Sequence, residues 1–206
     1  MVMRIEFTPV VKNLVISNVA LFILSSMFPA LVSLFALYDL KSPSFQVYQL
    51  STYAFLHADF FHLLFNMLTL FFIGTYLEKN VGSKRFAVYY FIPLVAGALL
   101  TEIVSLFIAP HPHVSVGASI AIWSILVIFA FMFPNMKLYL FFIIPVKAWI
   151  LVLLLFLFES FMINGLTGIS HLGHVSGAIC GFITYLFYNN KRNLRRTNYE
   201  ESEILL

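Results

Sequence analysis

Val116-Gly117-Ala118-Ser119-Ile120-Ala121-Ile122-Trp123 places a serine two residues after a glycine, at the head of an apolar run that continues to Phe133 and stops at Pro134-Asn135. The run spans about 117–133, some 17 residues, or about 25 Å of helix at 1.5 Å per residue. That is shorter than the ~30 Å hydrocarbon core of a bilayer. With the end at Pro134, Asn135 and Lys137 held at one membrane surface, Ser119 is expected to lie below the other, at the bottom of a cavity open to water.

The rest of the chain makes lipid the only plausible solvent for this run. Of 206 residues, 61% are hydrophobic and 10% charged, and mean hydropathy is +0.94. A soluble domain carries about 25% charged residues. Outward from Ser119, apolar runs recur at about 13–37, 59–77, 86–108, 148–162 and 170–188. The first exceeds the 7–15 residues or so of a signal-peptide core, so it is read as a span, kinked at Pro29. Residues 38–57 form the longest loop, aromatic enough to lie in the membrane interface. The turn Glu78–Arg85 is charged, and 135–147 reads as an interfacial connection. The fold class is therefore all-α: a six-transmembrane-helix bundle forming one membrane-embedded domain over 1–206, with a basic tail at 189–206. Lys191, Arg192, Arg195 and Arg196 in that tail suit a membrane surface better than nucleic acid.

Six spans leave both termini on one side. Eleven of the twelve Lys and Arg residues fall on that side and only Lys41 on the other. The positive-inside rule then puts both termini in the cytoplasm, in the plasma membrane. In this orientation Ser119, His174, His62 and Asn66 all fall toward the outer ends of their spans. His62 and Asn66, four apart, share a helix face, and polar side chains inside a span are costly unless paired or functional. His174, Gly177 and Gly181 share another face, where glycines allow close helix approach. Gly117 and Ala121 are the small pair expected to face them. His171 competes with His174 one turn earlier. The lone Cys180 excludes an internal disulfide and is read as a packing residue. Glu102 and Glu159 are read as interfacial or paired carboxylates, and His111-x-His113 as a loop rather than a metal site.

Taken in order, His57-Ala58-Asp59-Phe60-Phe61-His62 with Asn66, then Glu78 with Gly82, Gly117-x-Ser119, and His174-x-x-Gly177-x-x-x-Gly181 resemble the rhomboid family of intramembrane serine proteases over roughly 45–188. The resemblance implies Ser119 as nucleophile and His174 as base, since the family's His-x-x-Gly pattern fits His174 and fails for His171. It implies oxyanion donors from Asn66, His62 and the Ser119 backbone N–H, an aromatic at Trp123 stacked on His174, and Gly117, Gly177 and Gly181 in support. It also implies transmembrane protein substrates within the lipid bilayer, and neither metal nor organic cofactor. No Asp or Glu is spaced to complete a triad, in keeping with a Ser–His dyad. Two positions depart from the family: Ile120 stands where Gly is usual after the serine, and Tyr48-Gln49 where Trp-Arg is frequent. Ile120 supports an alternative, an inactive relative that binds client helices. A small transporter or channel is a further rival, with intramembrane His and Glu in its favour but no two-halves symmetry.

Overall fold

The structure is a computed structural model and describes residues 7–108, 112–140, 143–161, 168–188 and 204–205. The chain enters helix α1, Pro9–Met27, with proline at a first-turn position, where its missing N–H costs nothing. A single kinked span was expected over 13–37. Instead α1 ends at Met27, and a separate short helix, α2, occupies Ala30–Phe35. Pro29 has no N–H to continue the ladder and drives Phe28 out of helical geometry, to φ −128°, ψ 81°. The following loop carries β1, Leu37–Tyr38, then helix α3, Gln49–Thr52, and a 3-10 turn at Tyr53–Phe55.

The next span is helix α4, Phe60–Thr69, a π turn at Leu70–Gly74, and helix α5, Thr75–Val81. It runs four residues beyond the expected end at 77. Glu78 and Lys79 are therefore helical, not part of a turn. The break comes at Gly82, whose φ of +84° is a left-handed conformation that glycine adopts without strain. Helix α6, Ser83–Ile108, takes in Lys84 and Arg85 as well.

After α6 the chain forms β2, Val114–Ser115, which pairs antiparallel with β1: Leu37 lies opposite Ser115 and Tyr38 opposite Val114. Helix α7 covers Ser119–Met132, 14 residues, or about 21 Å. It starts two residues later than expected, leaving Gly117 outside the helix. The connection over 135–147 contains paired strands. It is a hairpin of β3, Lys137–Leu140, and β4, Ile144–Lys147, with β5, Ile204–Leu205, alongside β3 in parallel. Helices α8, Ala148–Phe161, and α9, Gly168–Tyr188, complete the fold.

Helix α7 is the axis of the bundle. From Ile120 to Ala130 every residue but Val127 is buried. It packs between α6 and α9, which also meet each other. The outer helices turn Phe61, Phe65, Phe107, Leu153 and Phe158 outward. That inversion, apolar residues on the outside as well as within, suits a lipid surface. Of the described helices, Pro9–Met27, the continuous segment Phe60–Val81 and Ser83–Ile108 are long and apolar enough to cross a membrane, and α7 is a shorter apolar helix.

The α7–α9 contact is closer than aliphatic side chains allow. A Cβ added to Gly177 would run into the Ile120 carbonyl oxygen, and one on Gly181 would lie 2.6 Å from the Ser124 Cα. The partners of the α9 glycines are thus Ile120 and Ser124, not the expected Gly117 and Ala121. The reason is the late helix start: with Gly117 in the turn, α7 presents Ile120 and Ser124, four apart, to α9. Ser124 Oγ also donates to the Tyr89 carbonyl of α6 at 3.0 Å.

Glu78 ties the bundle together at the end opposite Ser119. Its Oε2 accepts from Thr8 Oγ1 at 2.5 Å and Val11 N at 3.0 Å; Oε1 accepts from Ser83 Oγ at 2.6 Å and Val10 N at 3.0 Å. One carboxylate thereby caps the N-terminus of α1, where a helix leaves its first N–H groups unpaired, and joins α1, α5 and α6.

Candidate active site

Ser119 is the first residue of α7, so no earlier turn of the helix takes its backbone N–H. The turn before it depends on Gly117, at φ +117°. A side chain there would be strained, and its Cβ would lie 2.7 Å from His62 Nε2. Gly117 thus brings the imidazole of His62 against the backbone that leads to Ser119. The turn is anchored in addition by Gly117 N donating to the Tyr53 carbonyl at 3.0 Å.

His62 is set by the start of α4. Asp59 is the N-cap, and its Oδ1 accepts from His62 N at 2.9 Å. His57 packs edge-on against the His62 ring, with centroids 5.0 Å apart. Neither ring nitrogen of buried His57 has a hydrogen-bond partner among the described residues. Burial, with His62 beside it, lowers the His57 pKa from 6.5 to about 4. Asn66 lies one turn beyond His62, buried, and its Nδ2 likewise lacks a partner among the described residues.

A cavity of about 570 Å³ opens over Ser119. Ser119, His174, His62 and Gly117 all line it, together with the strand segment from Pro112 to Val116 and residues Tyr53 and Gly173. The structure therefore gathers four of the sequence-predicted site residues around one space. Asn66, Trp123, Gly177 and Gly181 stand behind it. Trp123 stacks on His174, with centroids 5.7 Å apart and 30° between planes. Gly177 and Gly181 set the α7–α9 spacing. His171 is not among the lining residues, which separates it from His174 by position alone.

Ile120, the departure from the usual glycine, is 6% exposed. Its side chain fills a notch left by glycines on two other helices. A Cβ on Gly97 of α6 would lie 2.6 Å from Ile120 Cγ2, and one on Gly173 of α9 would lie 3.4 Å from Ile120 Cγ1 and Cδ1. The isoleucine is housed in the helix interface, although its outer edge also lines the cavity.

Two features of the site escaped sequence reasoning. One is the wall from Pro112 to Val116, held to the first loop by the β1–β2 pairing and by Asp39, whose Oδ2 accepts from His113 N at 3.3 Å. The other is the pairing of His113 Nε2 with Glu102 Oε2 at 3.1 Å. Of the two readings open for Glu102, interfacial or paired, the structure shows the pair, with a partner eleven residues away across a loop, a separation no helical spacing exposes. The side chain of Glu159 and all of His111 lie outside the described residues.

A family model described as "Rhomboid domain" matches residues 44–191. RHOMBOID-like protein 12, mitochondrial, of Arabidopsis thaliana is 29% identical over 192 residues, covering 85% of this chain and 57% of the relative. Rhomboid-like protease 1 of Toxoplasma gondii is 30% identical over 152 residues, covering 72% of this chain and 49% of the relative. Inactive RHOMBOID-like protein 8 of Arabidopsis thaliana is 35% identical over 74 residues, 36% of this chain and 20% of that protein. The chain thus spans about half the length, or less, of these curated relatives. The matched region contains Ser119, His174, His62, Asn66 and Glu78 and covers every helix from α3 to α9, and on that match the chain belongs to the rhomboid family.

Proposed function

We propose that this chain is an intramembrane serine endopeptidase that cleaves membrane proteins within or beside their transmembrane segments with a Ser119–His174 dyad. The observation that carries this reading is the single cavity onto which Ser119, His174 and His62 converge. A serine hydroxyl is a weak nucleophile until a base takes its proton. His174 is the base, and the Trp123 stack restricts the plane of its ring. Attack on the scissile carbonyl forms a C–O bond and puts negative charge on the carbonyl oxygen. The Ser119 backbone N–H at the head of α7, His62 and the unpartnered Asn66 Nδ2 are the donors for that charge. Each such donor is worth about 3–4 kcal/mol of barrier. His174 then gives its proton to the departing amine, and water entering the cavity hydrolyses the acyl–serine ester by the same route in reverse. Substrate segments containing Gly or Pro unwind with the least loss of helix stability and are the favoured targets. The domain acts as one unit over 1–206, with both termini cytoplasmic.

The test is cleavage of a fluorescent transmembrane substrate by the purified chain in liposomes. Ser119→Ala and His174→Ala each abolish turnover without changing the melting temperature, His171→Ala retains it, and a fluorophosphonate labels Ser119. Cleavage that survives Ser119→Ala defeats the proposal. A second reading, a client-binding protein without activity, draws on Ile120 in place of the family's usual glycine and on the relative named as inactive. It prevails if the fluorophosphonate fails to label Ser119 while a related enzyme is labelled beside it.

A further inference from the structure

The wall of the catalytic cavity from Pro112 to Val116 has few backbone bonds to hold it. Its pairing with β1 is two residues long, and so short a ladder is marginal by itself. Pro112 has no N–H to give, so the first backbone donor along the wall is His113 N, which goes to Asp39 Oδ2 at 3.3 Å. Asp39 N returns a bond to the His113 carbonyl, also at 3.3 Å. At the far end Gly117 N donates to the Tyr53 carbonyl. The wall reaches a membrane-spanning helix through the His113 ring, whose Nε2 lies 3.1 Å from Glu102 Oε2 of α6.

Glu102 is a costly choice for its position. It is 0% exposed, its Oε1 has no hydrogen-bond partner among the described residues, and its helix is long and apolar enough to cross a membrane. A carboxylate taken out of water is expensive unless paired, and an apolar side chain would fill the same space at less cost. What the carboxylate adds is a charge-assisted bond to the imidazole, about twice as strong as a neutral one. Two carboxylates from two elements therefore converge on one histidine, Asp39 on its backbone and Glu102 on its ring. His113 in turn lines the cavity, as do Val114, Ser115 and Val116. We infer that Glu102 is a positioning residue for substrate: through His113 it holds the wall where an extended segment has to lie to present its carbonyl to Ser119. The inference rests on the protease reading above. It assigns Glu102 to binding and not to chemistry, because wall and nucleophile have different anchors. Ser119 is placed by the head of α7 and the Gly117 turn, whereas Glu102 engages the chain upstream of that turn, at His113.

The test uses the full chain in liposomes with the fluorescent transmembrane substrate. Glu102→Gln and His113→Gln each raise KM about tenfold, the scale of one charge-assisted bond, and leave kcat within about twofold. Together they raise it about tenfold and not about a hundredfold, because the two residues act as one unit. Fluorophosphonate labelling of Ser119, which needs the nucleophile and not the wall, stays within about twofold of wild type in all three proteins. Amide hydrogen exchange over 113–116 rises in each variant, while exchange in α7 does not. If one single variant fails to fold, KM and exchange in the other decide the point. An unmoved KM overturns the inference, and so do single effects that multiply in the double variant. A lowered melting temperature with KM and wall exchange unchanged overturns it in favour of a purely structural pair. Labelling slowed in step with turnover overturns it by placing the effect at the nucleophile. If the wild type neither cleaves nor labels while a related enzyme does both, the protease reading fails by itself. The affinity of the uncut substrate then decides: about a tenfold loss in Glu102→Gln, with faster wall exchange, keeps Glu102 as a positioning residue for a bound client segment, and equal affinity removes it.

Discussion

Ile120 occupies space that Gly97, Gly173 and Gly177 leave vacant, and this reverses what its position alone suggests. On its position alone, restoring the commoner residue by Ile120→Gly costs only helix propensity, about 1 kcal/mol. In the bundle it also empties a buried notch, and large-to-small changes of this kind cost about 2–5 kcal/mol. Ile120→Gly is therefore expected to lower thermal stability clearly while leaving Ser119 in place. Gly97→Ala should destabilise the wild type, because its Cβ would meet Ile120 Cγ2 at 2.6 Å, and should be tolerated beside Ile120→Gly. Equal effects of Gly97→Ala in both backgrounds would falsify the notch. His57 gives a second residue-scale prediction. Folded, its pKa is about 4; unfolded, about 6.5. Between those values the unfolded chain binds the extra proton, so stability is fully present above pH 6.5 and declines by up to about 3 kcal/mol as pH falls to 4. Melting curves of His57→Leu should lose that part of the acid slope. That Ser119, His174 and His62 meet at one depth was legible in the sequence, because span order and orientation carry them there, and the three line one cavity. The housing of Ile120 was not, since it needs glycines from two other helices.

Elements show where sequence periodicity misleads. A continuous α-helix advances about 100° per residue, and on that count Asn66 and Glu78 lie on different faces. The π turn at Leu70–Gly74 adds a residue to one turn, rotating α5 so that Glu78 returns toward the face of Asn66. Both are buried, Asn66 near the catalytic cavity and Glu78 at the opposite end. Charge alone marked 78–85 as a turn, but Glu78 is 2% exposed and fully engaged by Thr8, Val10, Val11 and Ser83. Glu78→Ala removes the acceptor from four donors, two of them backbone N–H groups at the head of α1. Each unsatisfied buried donor costs about 1–3 kcal/mol, so the variant should lose at least 2 kcal/mol and become susceptible to proteolysis near residue 8. Glu78→Gln keeps the acceptor oxygen and should fall between. An unchanged melting temperature for Glu78→Ala would show that α1 is held by its apolar face alone. The hairpin over 137–147 escaped sequence reasoning for a related reason: its strands are short and do not alternate cleanly, and only their pairing defines them.

For the whole molecule, charge and cavity fall at opposite ends. Lys12 near the start of α1, Lys79 in α5, Lys84 and Arg85 at the start of α6, and Lys137 and Lys147 in the hairpin all lie at the end away from Ser119. Lys41, in the loop on the cavity side, directs its Nζ to the Leu106 carbonyl at 3.5 Å. Basic residues near span ends remain on the side from which the chain is inserted, so the cavity is expected to open to the other compartment. In a plasma membrane that compartment is the exterior. Relatives named as mitochondrial show that the family also works in other membranes, where the same asymmetry would define a different pair of compartments. The relation between charge and cavity is therefore the testable quantity. In a Cys180→Ser background, a membrane-impermeant thiol reagent applied to intact cells should label Ser44→Cys, beside the cavity, and label Asn135→Cys, beside the hairpin, only after the membrane is opened. The reverse pattern would place Ser119 on the cytoplasmic side and most of the positive charge on the other. Substrates would then have to present their scissile segment from the cytoplasmic leaflet.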